Sequence, residues 1–109
     1  MPKSRDYQLV IQFVLDDADL ARYDAVTEFE TALIEGLAND SDVDGHDAGS
    51  GEVNIFIHTG DPAATLKLVQ TLLERDALRT ADYRAGYRLF TEDDYTPAWP
   101  PGLESFEVL

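Results

Sequence analysis

The sequence predicts an α+β domain: a four-stranded antiparallel sheet with two helices on one face. Three observations carry that expectation. Apolar residues alternate with period two over residues 7–15, 52–59 and 83–91. They recur every three or four residues in two intervening stretches, one ending near Ala38 and one near Asp76 or Leu78. Between the first helix and the strand at 52–59, a short segment with Gly45, Gly49 and Gly51 leaves room for a hairpin but not for a third helix.

In the first strand, Tyr7, Leu9, Ile11, Phe13 and Leu15 point one way and Gln8, Val10, Gln12 and Val14 the other. One face is wholly apolar and the other half polar, as a sheet covered by helices on one side requires. Asp16, Asp17 and Asp19 then crowd a helix start, where carboxylates accept from free N–H groups and oppose the helix dipole. Val26, Phe29, Leu33 and Leu37 form the buried stripe of that helix, widened by Tyr23 and Ile34, and Asn39 is a suitable stop because it tolerates the left-handed conformation.

The hairpin follows, with Ser41 to His46 as a short strand, Asp47 to Gly51 as the bend and Glu52 to Thr59 as a stronger strand. Two registers fit. A three-residue loop of Ala48, Gly49 and Ser50, with Gly51 left-handed, puts Val43 and Gly45 on the face of Val53, Ile55 and Ile57. A two-residue Gly49-Ser50 turn swings Asp42, Asp44 and His46 onto that covered face instead. Burying unpaired carboxylates is costly, which favours the first. A one-residue slip inverts every assignment on the earlier strand.

Asp61-Pro62 is a helix start, a capping oxygen followed by a ring with φ already set. Leu66, Val69, Leu72 and Leu73 supply the buried stripe of the second helix. In the last strand Tyr83, Ala85, Tyr87 and Leu89 share one face, and Arg84, Gly86, Arg88 and Phe90 the other. Residues 92–109 form an irregular extension whose Pro97, Pro100 and Pro101 exclude a central strand. Tyr95 and Trp99 are expected to anchor it, and Ser105 to Leu109 to offer at most a short edge strand.

The 109 residues make one domain with a core at 7–91, large enough to fold without staples. There is no cysteine, which removes disulfides, thiolate metal sites and cysteine chemistry and suits a cytoplasmic setting. The polar start lacks a signal-peptide pattern, and no apolar run approaches the roughly 20 residues that span a bilayer. The net charge of −14 argues against nucleic acid and anionic membranes as partners. Twelve carboxylates lie between Asp16 and Glu52 against one base, Arg22, whereas Arg75, Arg79, Arg84 and Arg88 cluster later. Such polarity steers a cationic partner to the acidic half or simply keeps the surface solvated.

The order strand, helix, strand, strand, helix, strand over 7–91 resembles the ferredoxin-like βαββαβ plan, and the chain is similar to small bacterial proteins of unassigned function built on it. The resemblance implies that the first and third strands are central and the aspartate-rich second strand an edge. It brings no catalytic motif, and this fold hosts many functions. The rival is a parallel βαβαβ layer with residues 40–51 as a plain loop.

Asp40-x-Asp42-x-Asp44-Gly45 matches the opening of a calcium loop. Asp47 and Gly51 break the later positions and a strand stands where the second helix should be, so alternating acids on an exposed edge account for the same letters. Gly45, Gly49 and Gly51 lack the following helix of a phosphate cradle. His46, Asp47 and Ser50 do not make a triad, since adjacent strand residues point to opposite faces. No cofactor and no metal are expected.

The uncovered sheet face is the stronger candidate site. It collects Asn54, Phe56, His58, Arg84, Arg88 and Phe90 beside Gln12 and Val14, aromatics next to amides and guanidinium forks. That mixture suits a homodimer interface, packing of the C-terminal tail, or an anionic or planar ligand. An RNA-binding sheet lacks its signature here and the charge is wrong. The expectation is therefore a non-enzymatic binding or regulatory domain, dimeric through this face. The alternatives are an antitoxin- or immunity-type protein masking a basic partner with its acidic surface, and a small-molecule enzyme with His46 or His58 as base. The last requires a histidine within about 3 Å of a carboxylate.

Overall fold

The computed structural model describes residues 6–14, 20–37, 41–49, 51–76, 78 and 81–108. Leu15, the aspartates proposed to start the first helix, the Asn39 stop, Asp40, Ser50 and Arg79 lie outside them. The elements run β1 (Tyr7–Val14), α1 (Leu20–Gly36), β2 (Ser41–Gly49), β3 (Glu52–Thr59), α2 (Pro62–Glu74), β4 (Tyr83–Leu89) and β5 (Thr96–Trp99).

The sheet is antiparallel throughout and ordered β2-β3-β1-β4-β5. This overturns the parallel rival. It also corrects the strand count from four to five, because the tail pairs as an edge strand at Thr96–Trp99, earlier than Ser105 to Leu109. An edge place suits Pro97, whose missing N–H costs no ladder bond at a bulge or edge. Its pairing with β4 is irregular between Ala85 and Gly86.

Both helices cover one face. Leu9, Ile11 and Phe13 from β1, Val53, Ile55 and Ile57 from β3, and Ala85 from β4 bury against Val26, Phe29, Leu33 and Leu37 of α1 and Leu66, Val69 and Leu73 of α2. Phe13 meets Phe29 edge-on with centroids 6.1 Å apart, and Tyr83 stacks on Trp99 at 6.1 Å with an 11° tilt, tying β5 to the sheet. The α2 start is as expected: Asp61 Oδ1 accepts from the Ala64 N–H at 3.1 Å, with Pro62 the first helical residue. Beneath it lies a hydroxyl chain absent from the expectations. Thr65 Oγ1 on α2 sits 2.7 Å from Thr59 Oγ1 and 3.2 Å from Ser41 Oγ, and all three residues are buried.

The hairpin register is a compromise between the two expected ones. Gly49 pairs with Glu52, a register that neither expected turn gives; near the turn the side chains face as in the two-residue alternative, while Gly51 takes the positive φ (77°) expected with the three-residue one. His46 therefore faces the helices opposite Ile55, and Gly45 lies on the open face opposite Phe56, which corrects its expected place beside Val43. A bulge between Val43 and Gly45 then restores the other parity: Val43 pairs with Ile57 on the covered side and Asp42 with His58 on the open side. Gly45 takes φ 134°, which an L-residue rarely adopts, and that conformation lets the strand change phase. The extra residue keeps every aspartate of β2 out of the core.

Candidate functional site

The open face is laid out in rows by the strand pairings. One row runs Asp47, Asn54, Gln12, Arg84; the next Gly45, Phe56, Val10, Gly86; the next Asp42, His58, Gln8, Arg88. All the predicted site residues on these strands project from this face, and the structure divides them into two groups.

The first group lies under or beside the C-terminal segment. After β5 the chain turns at 100–102, where the Leu103 N–H donates to the Pro100 carbonyl at 3.1 Å, and comes back over the sheet. Phe106 is 6% exposed and rests on Gly86, where an added Cβ would lie 2.5 Å from its Cγ and Cδ1. The main chain is absent of bulk at that one strand position, so the ring lies directly on the ladder. Gln12 Nε2 donates both to Asn54 Oδ1 and to the Glu107 carbonyl, each at 2.9 Å. That cover explains why Gln12 and Asn54 are buried on the face away from the helices. Arg84 Nη2 donates to Glu52 Oε2 at 2.7 Å, while Glu52 Oε1 and Arg84 Nε, both buried, have no partner among the described residues. The Glu52 side chain is only 9% exposed. Tail packing, one of the three expected uses of the face, thus accounts for its β1–β4 part.

The second group is uncovered. His58 and Phe90 meet edge-on at 4.8 Å, Phe90 is 42% exposed, and the Arg88 guanidinium sits 5.7 Å from the Phe90 and Tyr95 ring centres. Gln8 Oε1 accepts from Arg88 Nε at 3.2 Å and from the Tyr95 hydroxyl at 2.6 Å, which fixes the arginine and anchors Tyr95. Asp44 Oδ2 lies 3.5 Å from His58 Nε2, an exposed pair worth little by itself. Phe56 completes the patch between Gly45 and Val10.

The residues proposed for calcium fall differently. Asp42 and Asp44 stand on extended β2 rather than in a curled loop, and Asp40 lies outside the described residues. Among the described residues, no three histidine, aspartate or glutamate side chains converge to hold an ion. His46 and Asp47 face opposite sides of the sheet.

Sequence reasoning missed the partners of His46. Turned toward α1 by the bulge, its Nδ1 is 3.1 Å from both carboxylate oxygens of Glu30, and its Nε2 is 3.0 Å from the Tyr23 hydroxyl. Tyr23 and Glu30 are seven residues apart, two turns on one helix face, a spacing that could have suggested a shared partner. The arrangement clasps the edge strand to α1 and occupies both ring nitrogens.

Among the described residues, no helix is long and apolar enough to cross a membrane. Comparison with protein-family models, with curated proteins and with solved structures found no match.

Proposed function

We propose that this chain is a non-catalytic binding domain that self-associates through the uncovered part of its sheet face, centred on Phe56, His58 and Phe90. The observation that carries the reading is the half-exposed Phe90 held between His58 and Arg88, apolar surface inside a polar rim. The rim of the patch mixes signs, with Arg88 on one side and Asp42 and Asp44 beside His58 on the other, so a second copy can set acid against base across the contact. In this reading the first four strands with their two helices are a ferredoxin-like unit, β5 is an addition to its edge, and the protein works in the cytoplasm. Light scattering after size exclusion tests it: the wild-type chain is expected at twice its own mass, with Phe90→Asp and Phe56→Asp as folded monomers. A wild-type monomer at high concentration refutes it.

One observation favours a second reading. Glu30, His46 and Tyr23 form a carboxylate–imidazole–phenol chain with the histidine 3.1 Å from the carboxylate. In an enzyme, His46 Nε2 takes the phenolic proton while Glu30 steadies the charge on the other side of the ring. Reactivity toward an activated ester that His46→Gln and Tyr23→Phe both abolish supports this reading, and equal rates in all three proteins remove it.

A further inference from the structure

We propose that the β1–β4 part of the sheet face is a groove for an extended peptide carrying a central phenylalanine, and that residues 104–108 occupy it as a tethered competitor. The inference rests on the reading of this face as the contact surface, and it names the ligand chemistry of the covered half.

The socket is cut for a ring. Gly86 is the one position of β4 without a side chain on this face, Phe106 fills the space, and Tyr95 closes it edge-on at 5.4 Å. The main chain of the occupant is held by a side chain rather than by a ladder. Gln12 Nε2 donates to the Glu107 carbonyl, a contact open to any residue at that place. Among the described residues, no main-chain hydrogen bond joins 104–108 to a strand, and the segment has no regular secondary structure. An element that belonged to the sheet would pair with it; this one is seated by one ring and one carbonyl.

The surroundings match a peptide as well. Space of about 200 Å³ lies between Glu52, Arg84, Ser105 and Glu107. A second groove of about 410 Å³ runs along the other side of the segment, past Asp94, Tyr95 and Phe106. The occupant is anchored at its centre with room on both flanks. The Glu52–Arg84 pair lines the smaller space, with Oε1 and Nε buried and unbonded among the described residues. The tethered segment competes at an effective concentration on the order of millimolar, so an external peptide enters readily only when the internal anchor is weakened.

The test uses the full chain with Phe106→Ala and a fluorescent peptide, Glu-Ser-Phe-Glu-Val-Leu, matching residues 104–109. Fluorescence anisotropy is expected to show binding to Phe106→Ala, at least about tenfold weaker binding to the wild type, and at least about tenfold loss when the peptide's phenylalanine is replaced by alanine. Adding Gly86→Ala to Phe106→Ala fills the socket and is expected to abolish binding. A folded Phe106→Ala protein that ignores the peptide, or takes the alanine peptide equally well, overturns the proposal. Should that variant not fold, hydrogen exchange of residues 103–108 in the wild type decides: faster exchange under excess peptide supports displacement, and unchanged exchange refutes it. Light scattering on the same samples separates the two readings. A dimer that binds no peptide sinks the groove alone, and a monomer that binds peptide sinks self-association alone.

Discussion

Gly86→Ala is the sharpest perturbation available, because general propensity and this structure predict opposite signs. Within a strand, alanine is favoured over glycine by roughly 0.5–1 kcal/mol, since it loses less backbone freedom on folding. Here the new Cβ would stand 2.5 Å from Cγ and Cδ1 of Phe106 and 3.0 Å from its Cβ. Those atoms are at the root of the side chain, so no rotation of a flexible end relieves the clash, and the ring must leave. Full burial of a phenylalanine is worth about 1.5–3 kcal/mol. Subtracting the propensity gain leaves a net loss of about 0.5–2.5 kcal/mol. That is a fall of several degrees in Tm for a chain of this size, on the order of 4 °C per kcal/mol. Urea unfolding followed by circular dichroism measures it. The double variant locates the cause: with Phe106→Ala already in place, Gly86→Ala is expected to be neutral or mildly stabilising, a non-additivity that identifies the pair. A single Gly86→Ala protein as stable as the wild type refutes the packing of the tail described above.

Three further outcomes are expected. Thr65→Val keeps the shape but leaves the Thr59 and Ser41 hydroxyls without their shared partner, costing about 1–3 kcal/mol in urea unfolding. Gly45→Ala meets open space but forces φ 134° on an L-residue, so a loss on the order of 1–3 kcal/mol reports pure backbone strain. Nuclear Overhauser contacts between His46 and Glu30 should weaken in the same protein. Asp61→Ala removes the cap of α2 and costs about 1 kcal/mol, with exchange speeding first at Ala64.

Much of the architecture was legible in the sequence because its signals are local. Alternation in β1, β3 and β4 fixed which side chains face the helices, and Asp61-Pro62 fixed where α2 starts. The hairpin was not, because its phase changes within the strand. Each simple register puts part of β2 on the wrong face, and only a bulge between Val43 and Gly45 satisfies the turn and the core together. The glycine was visible, but its role depends on where Ile55 and Ile57 sit across the ladder. The same holds for His46, whose partners on α1 follow from that phase change. Arg84 and Asn54 lie on the expected face, and tail packing is one of its three expected uses, but nothing local chooses among the three. Gly86, a glycine inside an alternating strand, marks a close approach without saying by what. β5 was missed because three prolines in five residues obscure a four-residue edge strand.

The linked hydroxyls of Ser41, Thr59 and Thr65 have a mechanical consequence. Interlocked apolar side chains resist separation, and directional bonds add a fixed registration along the sheet. Gln70 supplies a second one in the middle of α2, donating to the Tyr83 hydroxyl at 3.2 Å, so the helix is held at two points along its length while Val69 and Leu73 keep it seated. Relaxation measurements on successive amides should therefore show uniform rigidity from Thr65 to Leu73, with faster motion only in the residues beyond.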